Sequence, residues 1–466
     1  MKLQETICEN ITVRDGELFV EAVDAFSLVR EYGSPLYVTS EAQLRLNYRK
    51  IFESFTREYP KTLVMCAMKA NNNMAVRRVL SDEGAGGEAF GPGELWALLK
   101  SGANPKKCVL NGAYKEDFEL KLAIENGVRI NADSYNELVR IAELARELNR
   151  VAEVRIRLRL QVPEFELVPA QAGGKTIAER FAKSKFGLST EQAVECARFI
   201  MKNTDALYFT GYSFHLGRQS LDTGHFAMTI REMINAAHEV ELQTGAVAKV
   251  INIGGGIPSS VRDAEGHGTS GEVPPVEQYA KAMAAALRQG VADGLLKDEP
   301  VLEIEPGRSV VGNSTVLLTT IKLVKRNQGR TWAVMDAGGN QLTRIDSSHY
   351  FYYALKAHHN PGDLCAEPEP VDVAGYLCSG DTLCADTPIR RPQEGDILAI
   401  LDAGMYAETT ACQFNGRPRP ATVMVNGGAV TVIKRRETIE DVFSTQRVSE
   451  RYAGMNDKGL VPEVDK

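Results

Sequence analysis

Thr62-Leu-Val-Met-Cys-Ala-Met68 runs without a break into Lys69-Ala-Asn-Asn-Asn73, an apolar, β-rich run that ends in a polar turn. The same passage recurs as far as about residue 310. Further runs are Glu88 to Phe90, Cys108 to Asn111, Val128 to Asn131, Glu153 to Leu160, Leu207 to His215, Lys249 to Gly254 and Val301 to Glu305. Longer segments with helical spacing separate them. Leu44, Tyr48, Ile51, Phe52 and Phe55 share one helix face before the first run, and Leu138, Ile141, Leu144, Ala145 and Leu148 share one after the fourth. Ser134-Tyr-Asn-Glu137 has the spacing of a capping box at the start of that second helix. Short strands alternating with helices build βα units and a parallel sheet, and eight strands close a TIM-like α/β barrel.

Beyond residue 310 the pattern changes. Thr315 to Val324, Thr331 to Asp336, Asp396 to Asp402, Ala421 to Val425 and Ala429 to Lys434 read as strands joined by turns. The expected organisation is an α/β barrel over 41–310 and a β domain made of 1–40 with 311–466. Two irregular stretches, 161–182 and 258–275, interrupt the barrel, and loops of that length are usually functional or mobile.

Composition narrows the function classes. A formal net charge of -7, with both signs interspersed, offers no basic stripe for a run of phosphates, so no nucleic-acid partner is expected. No stretch of 18 apolar residues suits a membrane span, and the polar start MKLQETICEN lacks the apolar run of a signal peptide. A cytoplasmic protein is the expectation. Eight cysteines without a CxxC pair suggest neither a zinc site nor a disulfide framework, and no metal is expected.

Unusual polar residues collect where the runs end, which in such barrels is the face that carries the chemistry. Lys69 leaves an apolar strand, and partial desolvation there favours the neutral amine that imine formation needs. Gly254-Gly-Gly256 follows a strand and lets backbone amides crowd around a phosphate. Glu303-Ile-Glu305-Pro-Gly-Arg308 puts carboxylates and a guanidinium at the rim, and Phe214-His215 ends another strand. Each alone has a plainer explanation: a solvated lysine, a tight turn, a rim ion pair, a structural histidine. Their gathering on one rim is what points to a site.

As an ordered set, Cys66-Ala-Met-Lys69-Ala-Asn71, Phe214-His-Leu-Gly217, Gly254-Gly-Gly256, Glu305-Pro-Gly-Arg308, Cys378-Ser-Gly-Asp381 and Asp402-Ala-Gly-Met-Tyr406 resemble the motifs of the diaminopimelate, ornithine and arginine decarboxylases of alanine-racemase fold. The resemblance runs from about residue 30 to about residue 440. It implies a pyridoxal 5'-phosphate enzyme in which Lys69 holds the cofactor aldehyde and His215 stacks on the ring. Gly254, Gly255, Gly256, the amides at Gly307 and Arg308, and Tyr406 would bind the phosphate. Glu305 would pair with the pyridine nitrogen, and Glu88 stands where the family usually has an aspartate. A carboxylate at 305 keeps the ring protonated as an electron sink, which suits decarboxylation; racemases of this fold resemble one another in placing arginine there.

The resemblance further implies a homodimer with shared sites, because the family's reprotonating cysteine comes from the neighbouring subunit. Here Cys378-Ser-Gly-Asp381 is one residue shorter than the family's Cys-x-x-x-Asp. Arg308, Arg344, Ser348, Ser379, Asp381 and Tyr406 would line the small-molecule substrate. Arg344 matches an arginine used for a distal carboxylate, whereas Ser348 and Ser379 replace the usual tyrosine and glutamate, and Arg218 replaces a serine. The expected reaction is decarboxylation of an amino acid or conjugate with a second, distal carboxylate, either diaminopimelate-like or a citryl-diamino acid. The alternatives are an ornithine/lysine-type decarboxylase, a racemase of the same fold, and a non-catalytic carrier of the cofactor.

Overall fold

The computed structural model describes residues 5–166, 176–217, 220–259, 273–342, 354–360 and 362–447. Eight parallel strands close a barrel: β1 (Thr62–Ala67), β2 (Gly86–Ala89), β3 (Cys108–Leu110), β4 (Arg129–Ala132), β5 (Ala152–Arg157), β6 (Leu207–Ser213), β7 (Val250–Asn252) and β8 (Val301–Ile304). β8 pairs with β1, with Glu303 opposite Leu63. Each expected run overlaps one of these strands, though β2 begins two residues before its run and β4 ends one residue after its own. Several runs extend past their strand, and the surplus residues matter. Lys69, Asn111, His215, Gly254 and Glu305 lie just beyond strand ends, where side chains are released from the pleat to face the barrel mouth.

The helix Glu41–Glu58 buries Leu44, Tyr48, Ile51 and Phe55 as its spacing predicts. Phe52 departs from that face: it is 40 % exposed and stacks on Tyr48. Ser134 caps the helix Tyr135–Glu147 by accepting from the Glu137 amide, but the expected capping box is one-sided. The Glu137 carboxylate turns instead to the Asp133 amide and the buried Lys115 ammonium, a charged partner that outcompetes a backbone N–H.

The second unit centres on Leu36–Ser40. This strand pairs antiparallel with Thr315–Asn327 and parallel with Ala421–Asn426 inside a nine-stranded sheet. Residues from Glu5 to Asp24 add a four-stranded meander. Beyond residue 310, three strands go beyond the sequence expectation: Ala354–Lys356, Pro368–Ala374 and Thr382–Arg390. The last two pair with each other, with Pro370 opposite Pro388. Prolines inside a run argue against a strand, yet Thr382–Arg390 ends the sheet order, where a missing N–H costs least. The turn between this pair carries Cys378, Ser379 and Asp381. Among the described residues no helix is long and apolar enough to cross a membrane.

Candidate active site

β1 delivers Lys69 into the single 3₁₀ turn Met68–Ala70. Two contacts from the second unit clamp that turn: Thr409 Oγ1 donates to the Lys69 carbonyl and the Tyr406 N–H donates to the Ala70 carbonyl. The Lys69 ammonium meets Glu88, at the end of β2, with Nζ 2.5 Å from Oε2. Burial pulls the lysine's proton affinity down, but Glu88, Tyr406 and Glu305 together drive it above its ordinary value. The neutral amine expected from desolvation alone is therefore corrected: the carboxylate supplied by β2 outweighs it.

Glu305 follows β8 and is buried beside the same lysine. Burial and the nearby Glu88 carboxylate push it up to about 7, while Lys69 and the amides of Asn252 and Asn111 oppose that rise. Asn111 Nδ2 lies 3.2 Å from each Glu305 oxygen and 3.1 Å from Glu88 Oε1. Asn252 Nδ2 lies 2.8 Å from Glu305 Oε1. Lys69, Glu88, Glu305, Asn111, Asn131, Asn252, Ser213, His215, Arg157, Phe90, Phe186 and Phe214 line one cavity of about 240 Å³ at the barrel mouth.

The glycines form its rim. Gly254 and Gly256 have φ of +70° and +108°, which an L side chain rarely adopts. A Cβ at Gly254 would meet His215 Nδ1 at 2.5 Å, and one at Gly255 would meet the Glu305 carbonyl at 2.5 Å. His215 Nδ1 accepts from the Gly255 N–H at 3.0 Å, so the ring's proton sits on Nε2. Gly307 lies against Ala70, and the Arg308 guanidinium is 4.7 Å from the centre of the Tyr406 ring. Tyr406 itself holds φ of +56°, strained for a non-glycine residue.

The structure thus brings together Lys69, Glu88, His215, Gly254, Gly255, Gly256, Glu305, Gly307, Arg308 and Tyr406. Cys378, Ser379 and Asp381 are elsewhere in the chain's surface. Cys378 is exposed and touches Asn415, whose Nδ2 is 3.3 Å from Sγ. Asp381 turns inward to the Gly339 and Leu377 amides, and burial raises its proton affinity. Ser379 and Asp381 line a separate cavity of about 240 Å³ with Asn340, Cys412 and Phe414. Arg344, Ser348 and Arg218 lie outside the described residues.

Sequence reasoning missed Asn111, Asn131, Asn252, Arg157 and Phe186. The first three end or close barrel runs, so the rule that selected Lys69 would have found them. Phe186 carries no such signal; it comes from the segment after β5, and its ring lies 4.3 Å from the Arg157 guanidinium.

A closed barrel with a half-buried lysine at its mouth, carboxylates beside it and a glycine rim is the arrangement of a pyridoxal-dependent decarboxylase. A family model described as the pyridoxal-binding domain of pyridoxal-dependent decarboxylases matches residues 46–312, and the chain belongs to that family. It is 35 % identical to the diaminopimelate decarboxylase of Methanothermobacter thermautotrophicus, covering 95 % of this chain and 98 % of that one. The Archaeoglobus fulgidus diaminopimelate decarboxylase is 34 % identical, over 94 % and 98 %. The solved diaminopimelate decarboxylase of M. jannaschii superposes with a TM-score of 0.86 at 29 % identity, covering 95 % of this chain and 99 % of that one. The protein is a pyridoxal 5'-phosphate-dependent amino-acid decarboxylase, a carboxy-lyase acting on a small molecule.

The site fits the cofactor. Its rim is glycine where a Cβ would collide, and its lysine stands beside two carboxylates with its side chain open to the cavity. Ser213, on the cavity wall, and Ser309, beside Arg308, keep buried hydroxyls without a protein partner among the described residues.

Proposed function

We propose that the substrate is diaminopimelate or a close dicarboxylic diamino acid. The observation that carries this reading is the 35 % identity, across nearly the whole chain, to a diaminopimelate decarboxylase. Arg344, in Asn340-Gln-Leu-Thr-Arg344, supports it, because a guanidinium fork matches a carboxylate. Ser348 and Ser379 favour a second reading, a larger carboxylate-bearing group such as a citryl-linked diamino acid. They are smaller than the tyrosine and glutamate they replace.

When bound, the cofactor supplies the electron sink that accepts the pair left behind as carbon dioxide departs. In this reading Lys69 Nζ would hold the cofactor through its aldehyde, Glu305 would keep the ring nitrogen protonated, and His215 would pack against the ring. Gly254 to Gly256, the Gly307 and Arg308 amides and the Tyr406 hydroxyl hold the phosphate. Glu88 keeps the Lys69 proton in place until the amine is needed.

Cys378 Sγ returns a proton to the substrate's α-carbon in the partner subunit's site. Support for this shared arrangement is that Cys378 is exposed and absent from the lining of its own chain's barrel cavity. The same reading divides the chain at residues 40 and 310. It places the enzyme in the cytoplasm, in keeping with eight free thiols.

Carbon dioxide release from a panel of diaminopimelate, a citryl-diamino acid conjugate, lysine and ornithine tests the reading. Diaminopimelate should have the highest kcat/KM. Faster turnover of lysine or ornithine overturns the dicarboxylate assignment, and faster turnover of the conjugate selects the second reading.

A further inference from the structure

Barrel interiors are normally filled by branched apolar side chains. Here the interior below the site holds ions. Arg155 on β5 and Glu303 on β8 are fully buried and paired, with Arg155 Nη2 2.8 Å from Glu303 Oε1. Arg129 adds a second contact, Nη1 to Glu303 Oε1 at 3.0 Å, and itself meets Glu153. Two guanidiniums thus face the Glu303 carboxylate in an interior where an unpaired charge would be costly.

That pair reaches the site through one residue. Asn252 Oδ1 accepts from the Gly254 N–H at 2.8 Å, which fixes the oxygen end of its amide. The nitrogen end must then face two carboxylates, Glu305 Oε1 at 2.8 Å and Glu303 Oε2 at 3.3 Å. A flipped amide would set its oxygen against both of them. Asn111 is fixed in the same way from the other side. Its Oδ1 accepts from Asn131 Nδ2 at 2.7 Å, so its nitrogen faces Glu305 and Glu88. Asn131 and Asn252 are fully buried and Asn111 nearly so, leaving water little room to substitute for these contacts.

We propose that Asn111 and Asn252 are positioning residues that together hold Glu305 ionised and in one orientation, with the Arg155–Glu303 pair anchoring Asn252 from inside the barrel. The proposal rests on the reading that Glu305 serves the cofactor's ring nitrogen. Donors to the charged form of a carboxylate favour that form. They are needed here because the other neighbours are divided. Glu88 from β2 and Glu303 from its own strand are negative; Lys69 after β1 is positive. Arg157 at the end of β5 and His215 after β6 share the cavity. The Asn252 bond to Gly254 also ties the carboxylate floor to the glycine rim, so one side chain sets both.

The test uses the holoenzyme, with melting temperature, the pH dependence of its visible absorption, and kcat and KM measured together. Asn252→Leu, close in shape but without polar atoms, should move the acid edge of both absorption and kcat upward by about one pH unit. At pH 7, with the edge starting near 7, that should lower kcat about fivefold and leave KM within about twofold. Asn252→Asp keeps the shape and adds a charge, and should move the edge at least as far; a purely steric role would leave it near wild type. Arg155→Met with Glu303→Met replaces the buried pair by an apolar one, often neutral for stability, and should shift the edge in the same direction by about threefold in kcat at pH 7. If Asn252→Leu does not fold, Asn252→Asp and the double variant decide. Folded variants with unmoved edges overturn the proposal. Glu305→Gln separates the two levels: if it leaves absorption and turnover unchanged, the reading of Glu305 fails. If it abolishes turnover while the asparagine variants behave as wild type, only the positioning proposal fails.

Discussion

Lys69 and Glu88 face each other across the barrel mouth, ammonium to carboxylate at 2.5 Å, with the carboxylate fully buried and the lysine side chain 36 % exposed. β1 and β2 are hydrogen-bonded neighbours with Ala67 opposite Glu88, so the pairing register itself brings the two charges together. The pair stores the lysine in its protonated form and leaves it open toward the cavity. A ligand that forms a covalent bond to Nζ has to displace that proton, and Glu88 is the nearest group to receive it.

Purified holoenzyme should therefore be yellow, and borohydride reduction followed by peptide mapping should label Lys69. Glu88→Gln removes the largest of the charges that raise the lysine's proton affinity, so burial is opposed only by the weaker effects of Tyr406 and Glu305. Cofactor uptake by the cofactor-free variant should then extend to lower pH than in wild type. A label on another lysine, or an uptake profile unchanged by Glu88→Gln, would remove the pair from the mechanism.

Glu305→Gln should lose turnover by roughly 10²-fold or more while still binding cofactor, because a neutral amide cannot keep the ring nitrogen protonated. The same variant has a stability signature in the cofactor-free protein. Burial and Glu88 raise the carboxyl from 4.5 to about 7, so the folded state binds the extra proton between those values. Wild-type stability should fall as pH rises through that window, and the loss should be complete above about pH 7. Glu305→Gln has no such proton. Its melting temperature should gain on wild type from pH 5 to pH 8; a constant difference would refute the assignment.

The barrel was legible because its signal is local and repeated. Each strand is an apolar run, each helix buries one face, and a run that outlasts its strand leaves a polar residue at the mouth. Lys69, His215 and Glu305 are legible in this way, Glu88 only through the family resemblance, and Asn111, Asn131 and Asn252 lie at or next to strand ends in the same manner. The pairing of Arg155 with Glu303 was not legible, since the two residues are 148 positions apart and meet only when the barrel closes. The hairpin that carries Cys378 was hidden by its prolines, which local reasoning takes as strand breakers. Its place in the sheet is set by pairing with Arg330–Met335, a tertiary contact.

Cys378 gives the clearest test of assembly. Its loop is exposed in the chain and held by Asn415, while its neighbour Asp381 is spent on the backbone amides of Gly339 and Leu377. The Cys378 thiol, in contact with the Asn415 amide, is the loop's exposed reactive group. If sites are shared in a twofold dimer, mixing inactive Lys69→Ala and Cys378→Ala variants should restore about a quarter of wild-type activity under random exchange, since half the dimers are mixed and each has one intact site. No recovery after verified exchange would mean that each chain completes its own site.

Arg344 is the residue on which the proposed substrate choice can be tested. A guanidinium presents a planar fork that meets a carboxylate through two hydrogen bonds, a geometry that lysine or a neutral side chain does not reproduce. If it reads the distal carboxylate, Arg344→Met should lower kcat/KM for diaminopimelate by roughly 10 to 150-fold, the equivalent of about 1.5 to 3 kcal/mol for a charge-assisted pair. Lysine and ornithine lack that carboxylate, so their slow turnover should be little changed. The comparison also tests the smaller residues around it. Ser379→Glu would restore a group able to pair with a free distal amine, and should raise kcat/KM for diaminopimelate while lowering it for a citryl conjugate, whose distal nitrogen is acylated and uncharged. Should Arg344→Met leave every dicarboxylate unaffected, the distal carboxylate is read elsewhere and Arg344 has no part in specificity.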